Sequence, residues 1–236
     1  MSNRLIGQSS LKDGDVIGVV DDIPDDAEMT IDLLVEAGFQ PVFVELEADA
    51  EVLIERLRAS VRAVVCDHRL RQKVHYSGAE VVARCMSVQL PAVLITTYAN
   101  TADSASIQRF KASIPEVLRR GSGSSPKALR LALDVANKET QGEYTAERKP
   151  YRTVVRVASL EDADQTYAEV FVSAWSPDEA LRIPLEIITG ETGVPADGIV
   201  GRRFLADVNI YARSADEVYL KNFEVLPEPP ADWMAT

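Results

Sequence analysis

The chain of 236 residues has 46% hydrophobic and 26% charged residues, the balance of an ordinary folded protein of one or two domains rather than a fibrous or disordered one. Its 25 Lys and Arg against 37 Asp and Glu leave a formal charge of −12, most of it after residue 150, which disfavours nucleic acid and anionic lipid as partners. No stretch approaches the roughly 18 apolar residues of a membrane span, the N-terminus lacks the apolar core of a secretory leader, and the two cysteines, Cys66 and Cys85, lie in apolar runs that suit buried thiols; a cytoplasmic location is expected.

From Val16 the chain reads VIGVV, an acidic turn DDIPDD, and AEMTIDLLVEAG, where Met29, Leu33, Leu34 and Ala37 recur at helical spacing before Gly38. A strand, a loop and a helix with a glycine stop follow from this. PVFVEL (41–46) predicts a second strand and EVLIERLRA (51–59) a second helix. AVVCD (63–67), short and β-branched, has the pattern of a strand buried on both faces of a parallel sheet. A polar loop, HRLRQKVHYS, leads into the helical segment GAEVVARCMSVQ. PAVLITT (91–97) repeats the strand pattern, ADSASIQRFKAS predicts a helix, PEVLRR (115–120) a short strand, and SPKALRLALDVANKE (125–139) a helix capped by Ser125 with Pro126 at its first position.

Five strands alternating with five helices predict a doubly wound α/β domain with a five-stranded parallel sheet over residues 1–139. Residues 140–150, polar with Gly and Pro, read as a linker. Beyond them YRTVVRVAS, TYAEVFVSAW, LRIPLEII, RRFLADVNIY and EVYLKNFEVL favour β-formers, separated by PDEA, TGETGVPADG and RSADE turns. A small, mostly β barrel or sandwich of about five strands is expected over 151–236.

In a doubly wound sheet the carboxyl ends of the strands converge. The first carries Asp21 and Asp22, the third Asp67, the fourth Thr96 and Thr97, the fifth Arg119 and Arg120. Three carboxylates at one point repel one another unless a cation intervenes, and an oxygen-only donor set suits Mg²⁺ or Mn²⁺. A carboxylate held beside such an ion can act as a nucleophile toward phosphorus, with a hydroxyl and a cationic side chain on the remaining phosphoryl oxygens.

VVDDIPDD, VVCDHRL and PAVLITT, in this order and these strand contexts, resemble the response-regulator receiver family over roughly residues 14–139. The resemblance implies Asp21 and Asp22 as metal ligands, Asp67 as phospho-acceptor and metal ligand, Arg69 as donor of a backbone carbonyl to the metal, and Thr96 as the switch hydroxyl. It further implies a histidine kinase or other phosphodonor as partner, with conformational signalling rather than substrate turnover. Three positions depart from the family pattern. Arg119, with Arg120 close behind, stands where the family has Lys; the loop after Asp67 lacks the usual Met-Pro pair and places Gly78 late; and Glu116 falls where many receivers carry an aromatic residue, a role the nearby Tyr98 could fill only if the geometry allows.

Other residues read more plainly. His68 and His75 match no zinc spacing. GSGS (121–124) lacks the Lys and hydroxyl residue of a phosphate-binding loop. Trp175, Phe171, Phe204, Tyr211 and Tyr219 suit a β core, and Arg202 and Arg203 suit structural ion pairs in so acidic a half. The second half shows no helix-turn-helix, cyclase or metal motif and is expected to bind an unidentified protein partner. A homodimer, a phosphorylation-independent adaptor and an enzyme activity in the β domain remain open alternatives.

Overall fold

The computed structural model describes residues 10–70, 74–97, 105–121, 123–161 and 166–226. The chain forms two compact units, Met1–Tyr144 and Thr145–Thr236.

In the first unit, β1 (Val16–Val20), β2 (Gln40–Phe43), β3 (Ala63–Asp67), β4 (Ala92–Thr96) and β5 (Val117–Arg119) form one parallel sheet in the order β2-β1-β3-β4-β5. The connecting helices are α1 (Pro24–Glu36), α2 (Ala50–Ser60), α3 (Gly78–Ser87), α4 (Ala105–Phe110) and, after β5, α5 (Pro126–Thr140). This is the doubly wound α/β arrangement expected, with the flavodoxin-like strand order. All five residues of β3 are buried. Val64 and Cys66 face a core with Leu53, Leu57 and Val82, whereas Ala63 and Val65 face another with Leu34, Leu129 and Leu133. A strand with helices on both sides has no polar face, which is why AVVCD is continuously apolar up to its final carboxylate.

Local signals hold at several helix ends. Ser125 accepts a hydrogen bond from Ala128 N (3.1 Å) at the start of α5. After α1 the chain turns through Gly38 at φ +90°, a conformation that favours glycine. The buried stripe of α1 runs through Ala27, Thr30 and Leu34, while Met29 is 51% exposed. The first part of the helix expected from residue 102 lies outside the described residues; the remainder is α4 followed by a 3₁₀ turn, Lys111–Ser113. Cys66 and Cys85 are both buried and free.

In the second unit, β6 (Tyr151–Glu161), β7 (Tyr167–Val172), β8 (Ser176–Pro184), β9 (Arg203–Val208) and β10 (Leu220–Val225) form one antiparallel sheet in the order β10-β9-β6-β7-β8. The strand count matches the expectation. Three local assignments differ: the SAW end of TYAEVFVSAW forms the turn between β7 and β8, PDEA lies within β8 rather than in a turn, and LRIPLEII splits at Pro184, after which Leu185–Thr192 forms α6. Proline at the end of β8 donates no hydrogen bond to continue the ladder, and Leu185 and Ile188, one helical turn apart, are buried. Val155, Val157, Val170, Phe204 and Val208 line the inner face and pack in the same core as Ile188, Ile199, Val218 and Phe223.

Asn209, 1% exposed, organises the base of this unit. Its Nδ2 donates to Glu147 O (2.9 Å) and Glu217 O (3.0 Å), and its Oδ1 accepts from Tyr219 N (2.7 Å). Tyr219 Oη in turn donates to Arg148 O (2.6 Å). Residues 147 and 148, in the stretch read as a linker, are thus tied to the second unit. Asn209→Ala leaves these buried backbone groups unsatisfied and is expected to cost about 2–4 kcal/mol. Both tryptophans lie in this half of the chain, so a urea titration followed by tryptophan fluorescence measures the loss.

Candidate functional site: a carboxylate cluster bridged by Arg120

The turn after β1 and the end of β3 bring Asp21, Asp22 and Asp67 together at the carboxyl edge of the parallel sheet. One carboxylate oxygen from each lies within 4.8 Å of the others, and all three residues are buried. Parallel pairing of β1 with β3 sets Val20 beside Cys66, so the residues that follow meet at one level.

Both oxygens of Asp21 and of Asp67 are engaged. Asp21 Oδ1 accepts from Ile23 N (2.9 Å) and Asp67 Oδ2 from Arg69 N (2.6 Å). Arg120 Nη2 bridges the two residues, donating to Asp21 Oδ2 (2.8 Å) and Asp67 Oδ1 (2.9 Å). Its Nη1 donates to the Asp26 carbonyl (2.5 Å) and to Thr30 Oγ1 (3.3 Å) in the first turns of α1. The Arg120 side chain is only 6% exposed. One guanidinium therefore links the end of β3, the acidic turn and α1.

The electrostatics follow from this burial. Removal from water pushes the carboxyls of Asp21 and Asp67 above their ordinary range, against the opposing pull of the backbone N–H groups and Arg120. Burial alone would lower Arg120, but its hydrogen bonds to Asp67 and Asp21 outweigh that and hold it above its usual value. Three carboxylates and no nitrogen or sulfur donor form a set that fits a hard divalent cation, and Asp21, Asp22 and Asp67 are the residues that would hold one.

At the fifth strand the structure corrects the expected cation: Arg120, not Arg119, touches the cluster. Arg119 is exposed at the end of β5, in register with Thr96, whereas Arg120 N donates to Thr96 O (2.7 Å) and its side chain turns into the site. Successive residues at a strand end point to opposite faces, so a shift of one position exchanges a surface arginine for the buried one. Thr96 is 2% exposed at the end of β4. Arg69 N–H donates to Asp67 Oδ2 (2.6 Å), which seats this residue beside the cluster. Glu116 is half-buried just before β5, and Tyr98 and residues 71–73 of the loop after Asp67 lie outside the described residues. His68 is buried beside Asp67, with its backbone N–H donating to Ile95 O (2.9 Å).

Gly78, which the sequence marked only by its spacing, lies tight against the end of β3. It begins α3 against the end of β3: its N–H donates to His68 O (3.0 Å), and a Cβ there would lie 1.7 Å from the Asp67 carbonyl oxygen.

No protein-family model and no curated protein sequence matches the chain. Solved structures of receiver domains are similar to just over half of it. A response regulator receiver domain protein from Clostridium thermocellum is 16% identical, with 54% of this chain and 97% of that one covered at a TM-score of 0.41. The signal receiver domain of a modulated diguanylate cyclase from Desulfovibrio desulfuricans G20 is 19% identical, covering 56% and 99% at 0.45. That of an HD domain-containing protein from Pseudomonas fluorescens Pf-5 is 19% identical, covering 58% and 96% at 0.43. The first unit is a five-stranded parallel sheet flanked by helices, and a five-stranded antiparallel unit follows it. Among the described residues no helix is long and apolar enough to cross a membrane.

Proposed function

We propose that this chain is a two-component-type signalling protein whose Asp67 accepts a phosphoryl group from a histidine kinase or another phosphodonor, and whose second unit engages a protein partner. The observation that carries this reading is the placement of Asp67 at the end of the central strand, in a buried triad with Asp21 and Asp22 and in contact with Arg120.

In the proposed step a carboxylate oxygen of Asp67 forms a bond to phosphorus as the bond to the donor's leaving atom breaks, and that atom keeps the electron pair. A bound Mg²⁺ or Mn²⁺ would supply positive charge to the incoming phosphoryl oxygens. Arg120 contributes a second positive charge beside Asp67, and Thr96, buried at the end of β4, would be the hydroxyl that reports the change. Arginine in this role offers a planar fork rather than a compact ammonium, and here that fork reaches α1 as well as the acceptor. The phosphorylated state would therefore shift a two-state equilibrium in which α1 takes part.

The engagement of both Asp67 oxygens favours a second reading, an adaptor in which Arg120 permanently satisfies the acidic cluster and no phosphoryl group is taken up. Incubation of the full chain with Mg²⁺ and acetyl phosphate, followed by intact-mass measurement, separates the two. One added phosphoryl group, lost in Asp67→Asn and restored to the unmodified mass by hydroxylamine, is the expected result. An unmodified wild-type mass across donors, together with no change in near-UV circular dichroism or tryptic pattern on adding beryllofluoride and Mg²⁺, would leave the adaptor reading standing.

A further inference from the structure

The second unit pairs half of the arginines beyond residue 150 with carboxylates. Arg152 reaches Asp207 (3.5 Å) and Glu224 (2.6 Å), Arg182 pairs with Glu161, and Arg213 pairs with Glu147. Arg156, Arg202 and Arg203 have no carboxylate partner among the described residues, and all three are exposed. The ion pairs that the sequence led one to expect for Arg202 and Arg203 do not form among these residues.

Their placement is specific. Arg156 of β6 and Arg203 of β9 are direct cross-strand partners. Their neighbours Val155 and Phe204 are fully buried on the inner face, so the two guanidinium groups rise together from the outer face. Like charges directly opposite one another weaken a sheet, and no carboxylate among the described residues offsets this pair. On the other side of β6, Arg156 is in register with Phe171 of β7, its Cζ 5.1 Å from the ring centroid, and Phe171 is in register with Ala180 of β8. The adjacent rung of the same face is Val154, 41% exposed, paired with Leu205. Two arginines with no carboxylate partner among the described residues thus border an apolar strip on an otherwise acidic unit.

We propose that this outer face, centred on Arg156, Arg203, Phe171, Val154 and Leu205, docks an acidic peptide segment of a partner protein, with carboxylates between the two guanidinium groups and apolar side chains on the strip. Charge complementarity selects this occupant. A long phosphate backbone would carry many negative charges past the acidic remainder of the chain, whereas a short segment places its carboxylates only where the arginines stand. The inference deepens the reading of the second unit as the partner-binding module, and it is independent of chemistry at Asp67.

Fluorescence anisotropy on the full chain tests it, with a short dye-labelled peptide of alternating Glu and Leu as the probe and a Lys-Leu peptide of equal length as the charge-reversed control. Expected are saturable binding of the Glu-Leu peptide that weakens with salt, at least about tenfold weaker binding by the Arg156→Gln/Arg203→Gln variant, and no binding of the Lys-Leu peptide. Both substitutions are at exposed positions, and in low salt Arg203→Gln alone should leave the melting temperature unchanged or raise it. Absence of Glu-Leu binding, equal binding by the double variant, or equal binding of the Lys-Leu peptide would overturn the proposal. Equal binding by the double variant would still leave a binding module at another surface. Phosphoryl uptake by the same double variant, read by intact mass, reports separately on Asp67.

Discussion

Replacing Arg120 with glutamine is expected to cost the first unit about 3–5 kcal/mol in metal-free buffer at neutral pH, and to make its stability strongly dependent on Mg²⁺. The side chain is buried and its Nη2 is shared between Asp21 and Asp67, so its removal leaves two desolvated carboxylates beside a third, Asp22. The contacts of Nη1 to Asp26 O and Thr30 Oγ1 are lost in the same change, which loosens the start of α1. Asp21 and Asp67, two of the three residues that would hold a divalent ion, are also the residues that Arg120 holds. Cation and guanidinium therefore compete, and the variant should bind Mn²⁺ more tightly by calorimetry. Added Mg²⁺ should raise its unfolding free energy more than that of the wild type, since a ligand stabilises in proportion to the logarithm of its concentration over Kd. Circular dichroism of denaturant unfolding, with and without Mg²⁺, gives both numbers. Equal stabilisation of the two proteins would show that ion and guanidinium use different oxygens.

The sign of the pH dependence is fixed by the same geometry. Burial holds Asp21 and Asp67 above the ordinary carboxylate range, so the folded state binds their protons more tightly than the unfolded chain does. Such groups weaken the fold as pH rises above their unfolded values, and protonation relieves the strain as pH falls. Without Arg120 this behaviour is stronger, because the guanidinium is the main charge opposing it. The stability deficit of Arg120→Gln should therefore narrow on acidification and be widest near neutrality.

The parts of the site that were legible in the sequence are those that depend on burial. AVVCD is apolar on both faces because helices cover both faces of β3, and that pattern by itself located Asp67 at a strand end. Asp21 and Asp22 follow VIGVV in the same way. The position of the basic residue was not legible to the same precision. β5 has only three residues, with a half-buried Leu118 between exposed Val117 and Arg119, so it carries no run from which to read which of Arg119 and Arg120 turns inward. The helix α6 was hidden for a related reason: LRIPLEII is a short apolar run, and such runs do not distinguish strand from helix by periodicity. Arg156 and Arg203 were separately visible as basic residues, but their pairing depends on β9 returning to lie beside β6, a long-range register that no local pattern encodes.

Gly78→Ala is expected to be among the most damaging single substitutions in the first unit, costing more than about 4 kcal/mol. A methyl group there would stand 1.7 Å from the Asp67 carbonyl oxygen, 2.7 Å from its carbonyl carbon and 3.0 Å from His68 Cα. These are backbone atoms of β3 and its exit, so no rotamer change can make room. Either α3 withdraws, breaking the hydrogen bond from Gly78 N to His68 O and disturbing the Ser77 cap on Glu80 N, or the end of β3 moves and carries Asp67 away from Asp21 and Arg120. Denaturant unfolding measures the first effect and phosphoryl uptake by intact mass the second. Gly190→Ala provides the contrast, because this glycine lies within α6, where an added methyl group would meet nothing inside 4 Å, and the change should stabilise the second unit by about 0.5–1 kcal/mol. If Gly78→Ala folded with wild-type stability, α3 would not be seated against β3, and the loop from His68 to Gly78 would no longer be a constraint on where Asp67 points.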